Sequence, residues 1–259
     1  MRSENIIDLI GIGQTYDGKK WIIKDLNFSV KDTPNEGQFV LLLGASGCGK
    51  STLLRYIAGL QSPTEGDVLV HGVPRTEDLA VSMVFQQYPS MPCYTVLDNV
   101  ILPLKYRGVK HKECVERGME MLRLVGLSGH ELKFAKSPGL SGGQLQRVAI
   151  ARALITNPEI ILMDEPFGAL DTRTRLDMQL LVLDIWEQTQ STIVFVTHDI
   201  SEAVFLGREI HIMQANPGRI AKSFRINLEG KRDRALKSTQ AFMDMVNVVD
   251  GALMDISRS

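Results

Sequence analysis

Residues 39–60 read FVLLLGASGCGKSTLLRYIAGL: an apolar run, a glycine-rich turn and a stretch of helical period in immediate succession. Within it, Leu43-Gly44-Ala45-Ser46-Gly47-Cys48-Gly49-Lys50-Ser51-Thr52 satisfies G-x-x-x-x-G-K-[ST], and a strand before it with a helix after it is the context that pattern requires. Gly44, Gly47 and Gly49 let the backbone curl so that successive N–H groups point into one anion-sized concavity, to which the following helix adds its positive N-terminal end. Lys50 is then expected to reach the β and γ phosphates of a nucleoside triphosphate, and the Ser51 hydroxyl to ligate Mg²⁺. Gly44, Ala45, Ser46, Gly47, Cys48, Gly49, Lys50, Ser51 and Thr52 are the candidate phosphate-binding residues. A glycine-rich turn that merely joined a strand to a helix would not need agreement at about eight positions.

Two more apolar runs of strand length, Ile160–Met163 and Thr192–Val196, resemble Phe39–Leu43 in lacking polar alternation, as strands buried on both faces of a parallel sheet do. Helix-period segments lie between them: Lys50–Leu60, Lys112–Val125, Gly142–Ile155 and Thr172–Thr189. Ile7–Ile12, Trp21–Val30 and Val68–Val70 mix β-formers with turn signals at Asp17-Gly18, Glu36-Gly37 and Glu65-Gly66-Asp67. The expected fold is α/β: a phosphate-loop NTPase core with a mostly parallel sheet, an N-terminal antiparallel β layer and an inserted helical subdomain at about 88–157. Residues 1–230 form one domain in this reading. The tail 231–259 carries Leu236, Phe242, Met245, Val246, Val249, Leu253 and Ile256 near a 3.6-residue period, a helix packed on its own domain or against another chain.

At 259 residues, with 44% apolar and 23% charged side chains, the chain suits one large domain, or two small ones sharing a core, and excludes disordered and fibrous classes. The 29 basic and 30 acidic residues leave a formal charge of −1, so no global positive field holds nucleic acid or an anionic bilayer. Three cysteines, Cys48, Cys93 and Cys114, are too few and scattered for a disulfide framework or a zinc site, which favours a reducing compartment such as the cytosol. The start carries Glu4 and Asp8 and does not read as a secretory signal. The charge-free stretch Leu79–Leu97 is broken by Gln86, Gln87, Pro89 and Pro92, so no membrane span is expected.

The run Ile160–Met163 ends in Asp164 and Glu165, whose adjacency on an extended chain points them apart and gives them different jobs. One is suited to holding Mg²⁺, the other to accepting a proton from attacking water. Thr192–Thr197 ends in His198; since ligands of α/β sheets gather at strand carboxyl ends, His198 is expected on the rim that carries Lys50 and Glu165. Leu140-Ser141-Gly142-Gly143-Gln144 opens a helix with a good N-cap and two glycines, which alone is an ordinary cap.

Taken together, GASGCGKST (Gly44–Thr52), VFQQ with Gln86, LSGGQLQR (Leu140–Arg147), ILMDEP (Ile161–Pro166), FGALD (Phe167–Asp171) and VTHD (Val196–Asp199) stand in the order of the ATP-binding cassette (ABC) proteins, which this chain resembles. SGCGKSTLLR, TVLDNV, DEPFGALD, THDISEAV and Asn216-Pro217-Gly218-Arg219-Ile220 resemble the ATPase subunits of bacterial importers of the nitrate, sulfonate and taurine group. The resemblance implies ATP and Mg²⁺ as cofactors and two cassettes meeting head to tail. Ser141, Gly142, Gly143, Gln144 and Asp171 of one would then complete the ATP site of the other. It further implies that Gln86 touches Mg²⁺ and the attacking water, Asp164 holds the metal, Glu165 is the general base, His198 grips the γ-phosphate and Tyr16 stacks on adenine. Implied partners are a second cassette, transmembrane permease subunits and, indirectly, a solute-binding protein, with no nucleic acid. The implied location is peripheral, on the cytoplasmic face of the inner membrane.

Two stretches depart from the family pattern: Lys136-Ser137-Pro138-Gly139 before the second glycine cluster, and Tyr88–Tyr94 after Gln86, in the loop where such cassettes meet their membrane partners. Cys48 inside the phosphate loop is expected to be alkylated at the expense of nucleotide binding, with ATP protecting it. Chromosome-maintenance or repair ATPases need a long coiled coil between the two glycine motifs, and no heptad run separates Lys50 from Leu140. Translation-associated cassette proteins carry each motif twice, and a metabolic kinase has no use for the second cluster.

Overall fold

The computed structural model describes residues 4–33, 36–75, 81–87 and 90–258. The strands are β1 (Asn5–Thr15), β2 (Trp21–Lys31), β3 (Phe39–Gly44), β4 (Glu65–Val70), β5 (Val73–Pro74), β6 (Val81–Val84), β7 (Ile160–Asp164), β8 (Thr192–Thr197), β9 (Glu209–Gln214) and β10 (Arg219–Arg225). The helices are α1 (Lys50–Ala58), α2 (Val96–Tyr106), α3 (His111–Leu124), α4 (Gly142–Leu154), α5 (Thr172–Thr189), α6 (Ile200–Leu206) and α7 (Gln240–Arg258), with a 3₁₀ turn at Leu236–Ser238. They fall into two compact units, Met1–Leu79 with Trp186–Ser259, and Ala80–Ile185.

The first unit holds the expected antiparallel layer, in the order β2-β1-β4-β5. β2 buries Ile23, Leu26, Phe28 and Val30 while exposing Lys24, Asp25, Asn27 and Ser29, the alternation of a strand with one face on a core. The Asp17-Gly18 turn joins β1 to β2: Asp17 Oδ1 accepts from the N–H groups of Lys19 and Lys20, each at 2.8 Å. Glu65-Gly66-Asp67, expected as a turn, lies inside β4 instead. A side chain at Gly66 would meet the Ile10 carbonyl at 2.4 Å beside a register shift in β1, so the glycine serves a close strand approach.

The second sheet of this unit has β3 parallel to both β8 and β9, with β10 antiparallel to β9 at the edge. Every residue of β3 and β8 is buried, which is why both read as unbroken apolar runs. α7 buries Phe242, Val249 and Ala252 and lies against α6, β9 and β10.

In the second unit β6 and β7 pair in parallel, and α2, α3 and α4 pack on one another. This unit therefore takes in strand residues on both sides of the stretch 88–157 and runs on into α5. Tyr88 and Pro89, at the start of that stretch, lie outside the described residues. Thr95 caps α2, its Oγ1 accepting from Asp98 N at 3.0 Å. Of the charge-free stretch Leu79–Leu97, the described part divides between β6 and the entry to α2.

Candidate functional site

Within the first unit the phosphate loop leaves β3 and enters α1 through Gly49, whose φ of 104° only glycine adopts without strain. Lys50 is buried and donates from Nζ to the carbonyl oxygens of Gly44 at 2.8 Å and Ala45 at 2.9 Å. Cys48 is buried as well, and desolvation pushes its thiol up against the opposing pull of Lys50. This corrects the alkylation expectation: a buried, protonated thiol is a poor target, with or without ATP.

Asn216–Ile220, read above only as a family likeness, braces this loop. Gly218 N donates to Ile22 O at 2.7 Å, and a side chain on Gly218 would lie 2.3 Å from the Cys48 carbonyl. No local pattern in the sequence discloses that contact.

Two other expected residues share this unit. β8 pairs with β3 in register Leu43↔Thr197, so His198 emerges at the same strand end as the phosphate loop, and it is exposed. Asp199 beside it caps α6, Oδ1 accepting from Glu202 N at 3.0 Å. Tyr16 follows β1 and is 70% exposed. Its surroundings are set by residues the sequence reading did not single out. Tyr56 of α1 donates to Gln14 Oε1, and Gln61 Nε2 approaches Gln14 Oε1 and Tyr16 OH at 3.4 Å each. Burial pushes the Tyr56 phenol above its ordinary range.

The second unit brings together Gln86 and Glu165. β6 and β7 run parallel in register Val84↔Met163, so Gln86 and the acidic pair emerge at the same end, and Gln86 Nε2 donates to Glu165 Oε2 at 3.4 Å. Asp164 is buried and Glu165 is half-buried with φ 42°, so at Glu165 the backbone leaves the extended conformation read from the sequence. Asp171 Oδ1 accepts from the N–H groups of Arg173 and Thr174 at 3.1 Å each, at the start of α5. Bonds from the Thr174 hydroxyl and backbone, then Arg173, hold its carboxyl below the ordinary range.

Ser141 and Gln144 form a capping box at the start of α4. The Ser141 hydroxyl accepts from Gln144 N at 3.3 Å and keeps its own proton to donate. Ser141 and Gly142 are exposed, whereas Gly143 is buried against Thr174. After Gln86, the fully buried Asn99 organises Met91–Thr95, accepting from Met91 N at 2.8 Å and donating to the carbonyls of Met91 at 3.0 Å and Thr95 at 2.9 Å.

The chemistry follows from these groups. The loop of the first unit offers backbone N–H groups and an ammonium to an anion; the second pairs a carboxylate with an amide, the equipment for orienting and deprotonating a water. The Ser51 hydroxyl in the first unit, and the Gln86 amide oxygen and Asp164 carboxylate in the second, are each hard oxygen donors, the chemistry that Mg²⁺ takes.

Residues 23–168 match the ABC transporter family. The taurine import ATP-binding protein of Rhizobium johnstonii is 46% identical over 220 residues, 83% of each chain. The aliphatic sulfonates import ATP-binding protein of Bacillus subtilis is 41% identical over 229 residues, 88% of this chain and 86% of that one. Among solved structures, a dimeric ATP-binding cassette in a post-hydrolysis state with ADP and Pi is 35% identical, with a TM-score of 0.73 over 86% of this chain and all of that one.

Proposed function

Since this chain belongs to the ABC transporter family, we propose that it binds and hydrolyses ATP to energise an importer of small anions or organosulfur solutes, of the nitrate, sulfonate and taurine kind. The observation that carries the proposal is the presence on one chain of a formed phosphate loop with Lys50 seated in it and a formed Ser141–Gln144 cap. The solute class rests on the relatives' names.

In this reading residues 44–52 hold the triphosphate and Tyr16 stacks on adenine. Ser51, Gln86 and Asp164 are the residues that would hold Mg²⁺, which supplies charge neutralisation on the phosphates when bound. Glu165 takes the proton of the attacking water, Gln86 orients that water and His198 grips the γ-phosphate. Ser141, Gly142, Gly143, Gln144 and Asp171 serve the ATP of a second cassette. Residues 1–230 act as one cassette with its helical subdomain at about 88–157, followed by the tail 231–259. Permease subunits dock near Gln86–Tyr94, where Met91 is 38% and Tyr94 40% exposed, and a solute-binding protein acts through them. The protein works at the cytoplasmic face of the inner membrane, held there by its partners.

Glu165→Gln tests the chemistry. ATP binding is retained, an ATP-trapped dimer accumulates on gel filtration, and turnover falls about 10²- to 10⁴-fold, the usual worth of a general base. Wild-type turnover would remove Glu165 from that role. Purification from the native host with partners intact tests transport: permease and solute-binding subunits are expected, and recovery with ribosomes or DNA-associated proteins would overturn the importer.

A further inference from the structure

The capping box at α4 decides which way the Gln144 amide faces. The Ser141 backbone N–H donates to Gln144 Oε1 at 2.9 Å. An NH₂ group cannot accept that proton, so Oε1 stays turned toward Ser141 and Nε2 points away. There it meets His130 Nε2 at 3.0 Å. The amide nitrogen offers only hydrogens, so the ring nitrogen must accept. The imidazole's single proton is then on Nδ1, 3.3 Å from the Ser128 carbonyl oxygen. A carbonyl on one side and an amide donor on the other thus select one neutral tautomer.

The loop carrying this ring is itself well held. His130 N donates to Leu127 O at 3.1 Å, Lys133 N to His130 O at 3.0 Å, and Gly129 N to Glu131 Oε1 at 2.8 Å. One turn beyond Gln144, Arg147 Nη1 donates to Val125 O at 2.6 Å, a second tie between α4 and the exit of α3. Glu131 on the same loop interacts with the ring electrostatically, and Arg147 on the adjoining helix is committed to Val125.

We infer that His130 is a positioning residue for the Ser141–Gln144 motif: as a neutral acceptor it locks the Gln144 amide into the capping box and so holds the exposed Ser141 hydroxyl in place. Protonating the ring puts an N–H on Nε2, facing the amide NH₂. Two donors then oppose each other, and either the amide turns and abandons the Ser141 N–H or the ring swings out. Acid therefore loosens the motif without touching the phosphate loop. This rests on the proposed role of Ser141 toward the ATP of a second cassette.

The test has two arms on the full chain. Ring ¹⁵N NMR, with the His130 signals assigned by their loss in His130→Asn, should show the Nδ1–H tautomer at about pH 8; an Nε2–H tautomer would overturn the inference. In a Glu165→Gln background, ATP-driven dimerisation should weaken about three- to tenfold more between about pH 8 and about pH 6 with His130 than with His130→Asn, whose Oδ1 accepts but does not titrate, the cost of about one hydrogen bond. Binding of ATP to the monomer should not differ between the two. Equal pH slopes would sink the idea, since what then remains belongs to other groups. Ser141→Ala separates the two readings: undiminished dimerisation there would remove the motif's proposed role, while the tautomer result would still judge His130.

Discussion

Lys50 shows how one side chain is readied for a ligand. A buried ammonium needs acceptors, and here the Gly44 and Ala45 carbonyls supply them at 2.8 and 2.9 Å. Phosphate oxygens can replace those carbonyls with a charged partner, so the triphosphate gains a strong bond and the lysine is never left bare. Cys48 beside it behaves oppositely: its N–H donates within the loop to Ala45 O at 3.5 Å and its side chain is buried. A thiol reagent should label the exposed Cys93 quickly and leave the buried Cys48 and Cys114 unmodified until the chain is unfolded. Peptide mapping of the labelled protein checks this, and rapid modification of Cys48 in the folded state would contradict its burial.

At the scale of elements, α6 shows how a short helix is closed. Its last carbonyls have no partner within the helix, and Arg232 reaches in from the segment before α7 to supply donors. Nη1 bonds Val204 O at 3.0 Å and Phe205 O at 2.5 Å, and Nη2 bonds Gly207 O at 2.7 Å. Burial lowers the Arg232 pKa to about 10, which leaves it charged at neutral pH. Lys237 sits over the Phe205 ring at 4.4 Å, a second tie from the same segment. Arg232→Ala strands three carbonyl oxygens and should lower stability by about 2–4 kcal/mol. A urea midpoint measured beside ATP affinity separates the effects: the midpoint should fall and the affinity hold. An unchanged midpoint would show that the tail is not anchored there.

The whole molecule has a formal charge of −1, and among the described residues no helix is long and apolar enough to cross a membrane. A net charge this close to zero gives no long-range attraction to an anionic lipid surface. If the Ser141–Gln144 cap of one chain serves the ATP of another, turnover per chain should rise with protein concentration and level off once dimers saturate. A steady-state dilution series measures it, and a rate per chain independent of concentration would mean that one cassette suffices.

Much of this was legible without coordinates. β3, β7 and β8 announce themselves because strands buried on every side are apolar throughout, and the bounds read for α5 match the helix observed. β6, β9 and β10 escaped notice: β6 is four residues long, and β9 and β10 mix charged and polar residues with apolar ones, β10 lying at a sheet edge. The same division runs through the site. The phosphate loop and the α4 cap were determined by sequence alone, because each is a local backbone conformation set by the residues that form it, whereas Glu165, read as extended, has φ 42°. The packing of Gly66 on Ile10, of Gly218 on Cys48 and of His130 on Gln144 was decided only by tertiary structure. Each joins segments distant in the chain, and the spacing of residues along one strand or helix holds no record of which backbone will come to lie against it.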